Sequence, residues 1–168
     1  VQAGSSEAGK ALAARTAEVI FTAQQTLEDA VDFYGDVQHR MARHGRNPDH
    51  LKIMPGAFPV VGRTEAEAQD KFASLQELIH PAVGRALLQQ LIGADLSAYP
   101  DDALVPDLPE TDGGKSRQDL LLRLARREGL TIRALYLRAA SARGHWTIVG
   151  TPTQIADALQ ERFEAYGA

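Results

Sequence analysis

The sequence contains no cysteine, only one tryptophan and two methionines, and no long apolar run. Without cysteine the chain forms no disulfide, no thiolate metal site and no cysteine nucleophile. No stretch approaches the about 20 apolar residues that a transmembrane helix needs. A basic segment followed by a short apolar run, which would mark a secretory signal, is also absent. We therefore expect a cytoplasmic protein without a membrane segment.

Excess positive charge is missing as well, since 18 basic residues face 22 acidic ones and the net charge is −4. Nucleic acids and anionic membranes are bound through a positive field, so neither is expected as a main partner. Segment 115–143 is the exception, because its eight basic and two acidic residues give +6 and leave −10 for the rest. Two predicted helices, about Ser116–Glu128 and Thr131–Ala142, flank Gly129 there and resemble a helix-turn-helix. An arginine-rich DNA- or partner-binding module is the alternative hypothesis, beside a simple solvated face.

Apolar residues make up 44% of the chain and charged residues 24%, which is typical of a folded globular protein. Short β-rich runs alternate with helical patterns. Val1–Ala3 ends a predicted strand, and Val19–Thr22 and Leu51–Met54 form two more, the last closed by Pro55-Gly56. Their continuous apolar character is typical of strands covered on both faces. Alternation at this spacing predicts βαβ units and a parallel sheet.

From about His80 the alternation stops, and some sixty residues show helical patterns without a strand. The last helix has the clearest start, with Thr151 as cap, Pro152 at the first helical position and Gln154 completing a capping box. Ile155, Leu159 and Phe163 are predicted to form its buried stripe. Three recognisable strands are too few for a closed eight-stranded barrel. The pattern therefore indicates a piece of a larger α/β protein.

The turn Gly4-Ser5-Ser6, between a strand end and a helix start, is a candidate anion site. Gly4 allows a tight turn, and the helix N terminus with two hydroxyls offers hydrogen-bond donors to a phosphate. The competing interpretation is that Ser5 or Ser6 only caps the helix. Glu7 counts against an anion unless its carboxylate points away.

Two further positions are candidates for an active-site mouth. Met54 and Pro55 end a predicted parallel strand, where ligands gather in such folds. His145 lies in a loop beside the last helix. Gly113-Gly114-Lys115-Ser116 is not a nucleotide P-loop, because Pro109 occupies the position of the required first glycine. None of the five histidines has the spacing of a metal site, so no metal is predicted.

Five segments of the sequence are distinctive when taken together and in this order: Gln2–Gly9, Ala13–Phe21, Leu51–Gly56, Val61–Ala68 and Val149–Asp157. Together they resemble one family, the bacterial-luciferase-like flavin monooxygenases. They are similar above all to its nitrilotriacetate, dibenzothiophene-sulfone and pristinamycin monooxygenase branch.

The resemblance implies a partial TIM (β/α)₈ barrel, about strands 5 to 7 with their helices, plus a helical insertion. On this mapping residues 1–79 are βα units of the barrel, 80–143 the insertion, and 144–168 the return to the barrel with the final helix. Val1–Ala3 would end the fifth strand, Val19–Thr22 would be the sixth and Leu51–Met54 the seventh. Strands one to four and eight lie outside these residues.

The resemblance also implies a function. Family members use reduced FMN, supplied by a separate NAD(P)H-dependent flavin reductase, with O₂ on a small organic substrate. Gly4, Ser5 and Ser6 would then bind the FMN phosphate, and Met54, Pro55 and His145 would lie at the active-site mouth. The parent protein could form a homodimer. No catalytic residue can be identified, and the isolated chain is expected to be inactive, because most flavin-ring and substrate contacts lie on the strands outside it.

Overall fold

The computed structural model describes residues 1–3, 5–109, 115–142 and 145–165. The chain divides into two compact units, Val1–Asp70 with His145–Ala168, and Lys71–Gly144. Its elements in chain order are β1 Gln2–Ala3, α1 Glu7–Thr16, β2 Val19–Thr22, α2 Leu27–Arg43, a 3₁₀ turn Pro48–His50, β3 Lys52–Pro55, β4 Ala57–Val61, α3 Glu65–Glu77, α4 Pro81–Ile92, α5 Lys115–Glu128, α6 Ile132–Ala142, β5 Trp146–Gly150 and α7 Pro152–Glu164. The finer division at residues 79/80 and 143/144 stays a prediction.

The first unit contains the parallel sheet that the alternation predicts. Strands β1, β2 and β3 pair in that order, all parallel. Ala3 lies opposite Phe21, and Phe21 lies opposite Met54. Because the strands are parallel, the turns that follow β1 and β2 leave the same edge of the sheet.

Two strands were not predicted from the sequence. β4 and β5 form a second parallel pair, with a register from Ala57 opposite Trp146 to Val61 opposite Gly150. β3 begins and ends one residue later than the predicted Leu51–Met54, and the chain resumes as β4 directly after Gly56. Pro59 inside β4 hides this strand in the sequence, since proline is rare within paired strands.

The helix-covered face of the first sheet builds the core of this unit. Ile20 and Ile53 are buried together with Val37 and Met41 from α2. On the alternate positions the side chains of Phe21 and Met54 are 41% and 56% exposed. The expectation that both faces are covered is wrong for this chain, because within the described residues only one face receives helices. This leaves an open apolar face beside the sheet edge.

Helix α7 begins as predicted but buries a different stripe. Thr151 Oγ accepts the backbone N–H of Gln154, and the Gln154 side chain accepts the N–H of Thr151. Ile155 is buried, whereas Leu159 and Phe163 are exposed, Phe163 at 70%. The prediction for these two residues is wrong because the helix turns Arg162 inward instead.

The second unit is helical. Its core joins Leu88 and Ile92 of α4 to Leu121 of α5 and Leu135 and Tyr136 of α6. Gly129 adopts a positive φ of 62° between α5 and α6, as a tight helix–helix turn requires. Across the described residues of both units, no helix is long and apolar enough to cross a membrane.

Helices α1 and α2 are joined by four alternating charges. Lys10 Nζ lies 2.7 Å from Glu7 and 2.5 Å from Asp36, and the Arg40 guanidinium lies 2.5 Å from Glu7 and 2.7 Å from Asp36. Partial burial raises the pKa of Asp36, but hydrogen bonds from Arg40 and Lys10 outweigh burial, so the pKa lies below its usual value. The folded state thus stabilises the ionised form of the Asp36 carboxylate relative to the unfolded chain.

We expect Asp36→Asn to lower the free energy of unfolding at neutral pH. A carboxylate with a depressed folded pKa contributes stability above its unfolded pKa near 3.8 and loses it as the pH falls through the lower folded value. The difference from wild type should therefore shrink below about pH 4. Urea unfolding across a range from acidic to neutral pH measures it. Asp32→Asn, on the exposed side of the same helix, is the matched control. A difference that stays constant down to the lowest pH would contradict the account.

Candidate functional site

The turn after β1 has the geometry of a helix start with spare donors. Gly4 lies outside the described residues. Ser6 is the N-cap of α1, and its Oγ accepts the backbone N–H of Gly9 at 3.2 Å. The first four amides of an α-helix lack acceptors inside the helix, and this cap uses only one of them. The remaining amides and the Ser5 and Ser6 hydroxyls are donors that suit an anion.

The carboxylate of Glu7, next to this turn, is compensated by two cations. Lys10 and Arg40 both contact it, and their hydrogen bonds, that from Lys10 foremost, lower the pKa of Glu7. Its negative charge is therefore present but paired, by side chains that also bind Asp36. The objection that Glu7 repels an anion loses most of its force, because a paired carboxylate has a much weaker field than a bare one.

His145 lies against the junction of β3 and β4. A Cβ at Gly56 would clash with Nδ1 of His145, so only glycine leaves room for the ring in this position. The imidazole also meets the Phe21 ring edge-on, with centroids 5.4 Å apart. Gln25 Nε2 donates to the His145 carbonyl at 3.3 Å. The structure thus holds His145 from three sides.

The predicted mouth residues are brought together by this packing. Met54 is the register partner of Phe21, and Pro55 precedes Gly56 directly. His145, although distant in sequence from Gly56, therefore lies beside the Met54-Pro55 segment. These residues surround an apolar and aromatic surface, and none of them is an obvious proton donor or acceptor apart from the imidazole.

The Ser5-Ser6 turn and this mouth belong to the same sheet edge. Ala3, which ends β1, is the register partner of Phe21. The turn that follows β1 therefore leaves the sheet one strand away from the Phe21–His145 contact. A ligand with an anionic group at the turn and an apolar body could extend along this edge.

A buried arginine that the sequence pattern does not predict lies behind the mouth. Arg162 of α7 is 3% exposed, its guanidinium carbon lies 3.9 Å from the centroid of the Trp146 ring, and its Nη1 donates to the Gln24 carbonyl at 3.2 Å. Burial lowers the pKa of Arg162, partly opposed by the charge of Asp29. One signal was present in the sequence, because Arg162 follows the buried Ile155 by two helical turns and so lies on the same helix face.

Beside Arg162 a second buried pair completes the turn after β2. Gln24 Nε2 donates to Thr22 Oγ1 at 2.7 Å, and both side chains are buried. Polar groups at this depth are satisfied by one another rather than by water. The turn that carries Gln24 and Gln25 is therefore held by hydrogen bonds from both glutamine side chains and by the hydrogen bond that the Gln24 carbonyl accepts from Arg162.

Comparison with known proteins gives a family and its relatives. The model of the luciferase-like monooxygenase family matches residues 1–168. The chain is 51% identical to nitrilotriacetate monooxygenase component A of Aminobacter aminovorans over 163 residues, which are 96% of the chain and 36% of that protein. It is 47% identical to a pristinamycin IIA synthase component of Streptomyces pristinaespiralis, over all of the chain and 39% of that protein.

A comparison with solved structures also finds a similar fold. The crystal structure of riboflavin lyase with modified FMN and its substrate riboflavin has a TM-score of 0.71 and 28% identity, over 98% of this chain and 35% of that one. The chain thus spans little more than a third of the length of the proteins it matches. The resemblance carried by the five sequence segments is confirmed, and the chain belongs to the luciferase-like monooxygenase family.

Proposed function

We propose that the chain is part of a two-component flavin-dependent monooxygenase that uses reduced FMN and O₂ on a small organic substrate. Its relatives include several monooxygenases, and the nitrilotriacetate enzyme is named as component A, one part of a larger system. A separate NAD(P)H-dependent flavin reductase is the second component that this chemistry requires. A cytoplasmic location and a homodimeric parent belong to the same proposal.

The fold supports placing the chain within a (β/α)₈ barrel. β1, β2 and β3 follow one another in a parallel sheet with their helices on one face, as consecutive barrel strands do. We assign them to strands five to seven. The exposed Phe21 and Met54 would then point toward the barrel interior, and the helical insertion of residues 80–143 would follow the seventh strand.

The observation that carries the FMN proposal is the Ser5-Ser6 turn with its compensated Glu7. A flavin phosphate would accept hydrogen bonds from the first amides of α1 and from the two hydroxyls, with Gly4 as the third residue of the turn. Lys10 and Arg40 pair the one carboxylate of this first turn that would repel it. The modified FMN in the structure of a relative supports the choice of a flavin ligand.

Bound in reduced form, the flavin supplies the electrons that activate O₂. The residues of this chain would bind and orient the flavin and would exclude water from it. The Ser5-Ser6 turn would fix the phosphate, and Met54, Pro55 and His145 would shape the mouth against solvent. His145 is the one mouth residue that can hold or donate a proton, and its ring is fixed by Gly56 and Phe21.

The arginine-rich alternative receives less support. Arg126 contacts Asp107, and both Arg127 and Arg138 contact Glu128 within the helical unit. Arginines that are paired with neighbouring carboxylates contribute little to a field that attracts nucleic acid. The flavin monooxygenase therefore remains the conclusion.

We expect Ser6→Gly to weaken the binding of FMN to this chain roughly tenfold, because a hydrogen bond to a charged group is lost. Riboflavin lacks the phosphate, so its affinity should be unchanged. Glycine keeps most of the capping free energy of serine, and the helix should persist. Fluorescence anisotropy of dilute flavin titrated with protein measures both constants.

Ser74→Ala, on the exposed surface of α3, is the control for this experiment. Equal affinities of wild type for FMN and riboflavin, or an equal loss for both ligands in Ser6→Gly, would rule out the turn as the phosphate site.

We expect no oxygenation by the isolated 168-residue chain when FMN, NADH and a flavin reductase are supplied. An open sheet cannot exclude water from the reacting flavin, so electrons should be lost as peroxide from free reduced flavin. Loss of nitrilotriacetate, a probe taken from the name of a relative, can be followed by chromatography beside the full-length parent. Turnover by the isolated chain would show that its residues suffice and would refute this prediction.

A further inference from the structure

Arg162 carries a buried charge that the carboxylate of Asp29 partly offsets without forming an ion pair in the described residues. Its side chain is almost wholly removed from solvent, and it makes no ion pair within the described residues. Its Nε atom is buried and has no hydrogen-bond partner in the part of the chain that the structure describes. A desolvated cation of this kind costs folding free energy, and apolar replacement of such groups is often neutral or stabilising. Stability therefore does not explain the arrangement.

The contacts of Arg162 instead join two segments that are distant in sequence. Nη1 donates to the Gln24 carbonyl, which lies in the turn after β2. The guanidinium group lies over the ring of Trp146, the first residue of β5. A planar cation over an aromatic face fixes the orientation of both partners.

One of these two segments carries a mouth residue, His145, and the other contacts it. Gln25 follows Gln24 and donates to the carbonyl of His145, and His145 precedes Trp146 and contacts Phe21. Arg162 thus contacts the sequence neighbours of Gln25 and of His145, namely Gln24 and Trp146, whereas the pairing of β4 with β5 does not involve it.

We propose that Arg162 is a positioning residue that sets the His145 segment and the Gln24-Gln25 turn against each other at the mouth of the flavin site. It does not touch the flavin phosphate, which belongs to the Ser5-Ser6 turn. The inference rests on the proposed function for the identity of the ligand, but not for the geometry that Arg162 imposes.

The test compares Arg162→Met and Arg162→Lys with wild type, and Arg43→Met is the control on the exposed end of α2. Urea unfolding gives stability, and titration with FMN and with riboflavin gives affinity. The ring protons of His145, assigned by NMR, report its contact with Phe21 without any flavin. Trp146 is the only tryptophan, so its emission reports the stacking directly.

For Arg162→Met we expect unfolding free energy equal to or above that of wild type, together with roughly tenfold weaker binding of both flavins. The His145 signals and the Trp146 emission should shift. Arg162→Lys keeps the charge but not the planar stack, and should show the same shifts. Arg43→Met should change none of these quantities.

Unchanged His145 signals in both variants would overturn the proposal. It would also be overturned if flavin binding is lost only in proportion to a loss of folding stability, or if Arg162→Met fails to fold. If wild type binds neither flavin, the proposed FMN site at the Ser5-Ser6 turn of this chain fails, and the His145 signals still decide the role of Arg162. If Ser6→Gly alone affects binding, the phosphate site stands and the positioning role is refuted.

Discussion

Gly56 is the position on which the arrangement of the first unit depends. Its N–H donates to the Thr22 carbonyl at 2.8 Å, and its own carbonyl accepts the N–H of Trp146 at 3.0 Å. The chain thus pairs with β2 before Gly56, as β3, and with β5 after it, as β4. The missing side chain also leaves the space that the His145 ring occupies. Any larger residue would have to displace either the ring or the strand junction, and the mouth would lose its shape.

The charges around the Ser5-Ser6 turn serve two requirements at once. An acidic residue in the first turn stabilises the helix through the macrodipole, but it would also repel a bound phosphate. The pairing of Glu7 with Lys10 and Arg40 keeps the helix contribution and weakens the repulsion. Asp36 completes the network and ties α1 to α2, so the position of the turn relative to the sheet is set by side chains from both helices.

Much of the first unit could be predicted from the sequence because its signals are local. The β-rich runs, the cap at Thr151 and the alternation of strands and helices depend on neighbouring residues, and the parallel sheet followed from them. β4 and β5 could not be found this way, since Pro59 argues against a strand and the pairing partner is distant in sequence. The inward turn of Arg162 was missed for a similar reason, because an arginine on an apolar face is taken as solvent-exposed until the aromatic ring and carbonyl that receive it are known. The mouth residues Met54, Pro55 and His145 were named from the resemblance and from strand ends, and their proximity emerged only from the fold. Their role as a site stays a prediction.

The central claim is that the turn after β1 receives the phosphate of a flavin. The most direct measurement is the ¹H–¹⁵N NMR spectrum of the chain titrated with FMN and, separately, with riboflavin. We expect the amide signals of Ser5, Ser6 and Glu7 to shift with FMN and to stay in place with riboflavin, whereas the indole signal of Trp146 should respond to both. Shifts that appear with FMN only among the arginines of α5 and α6, with the Ser5-Ser6 amides unmoved, would contradict the claim.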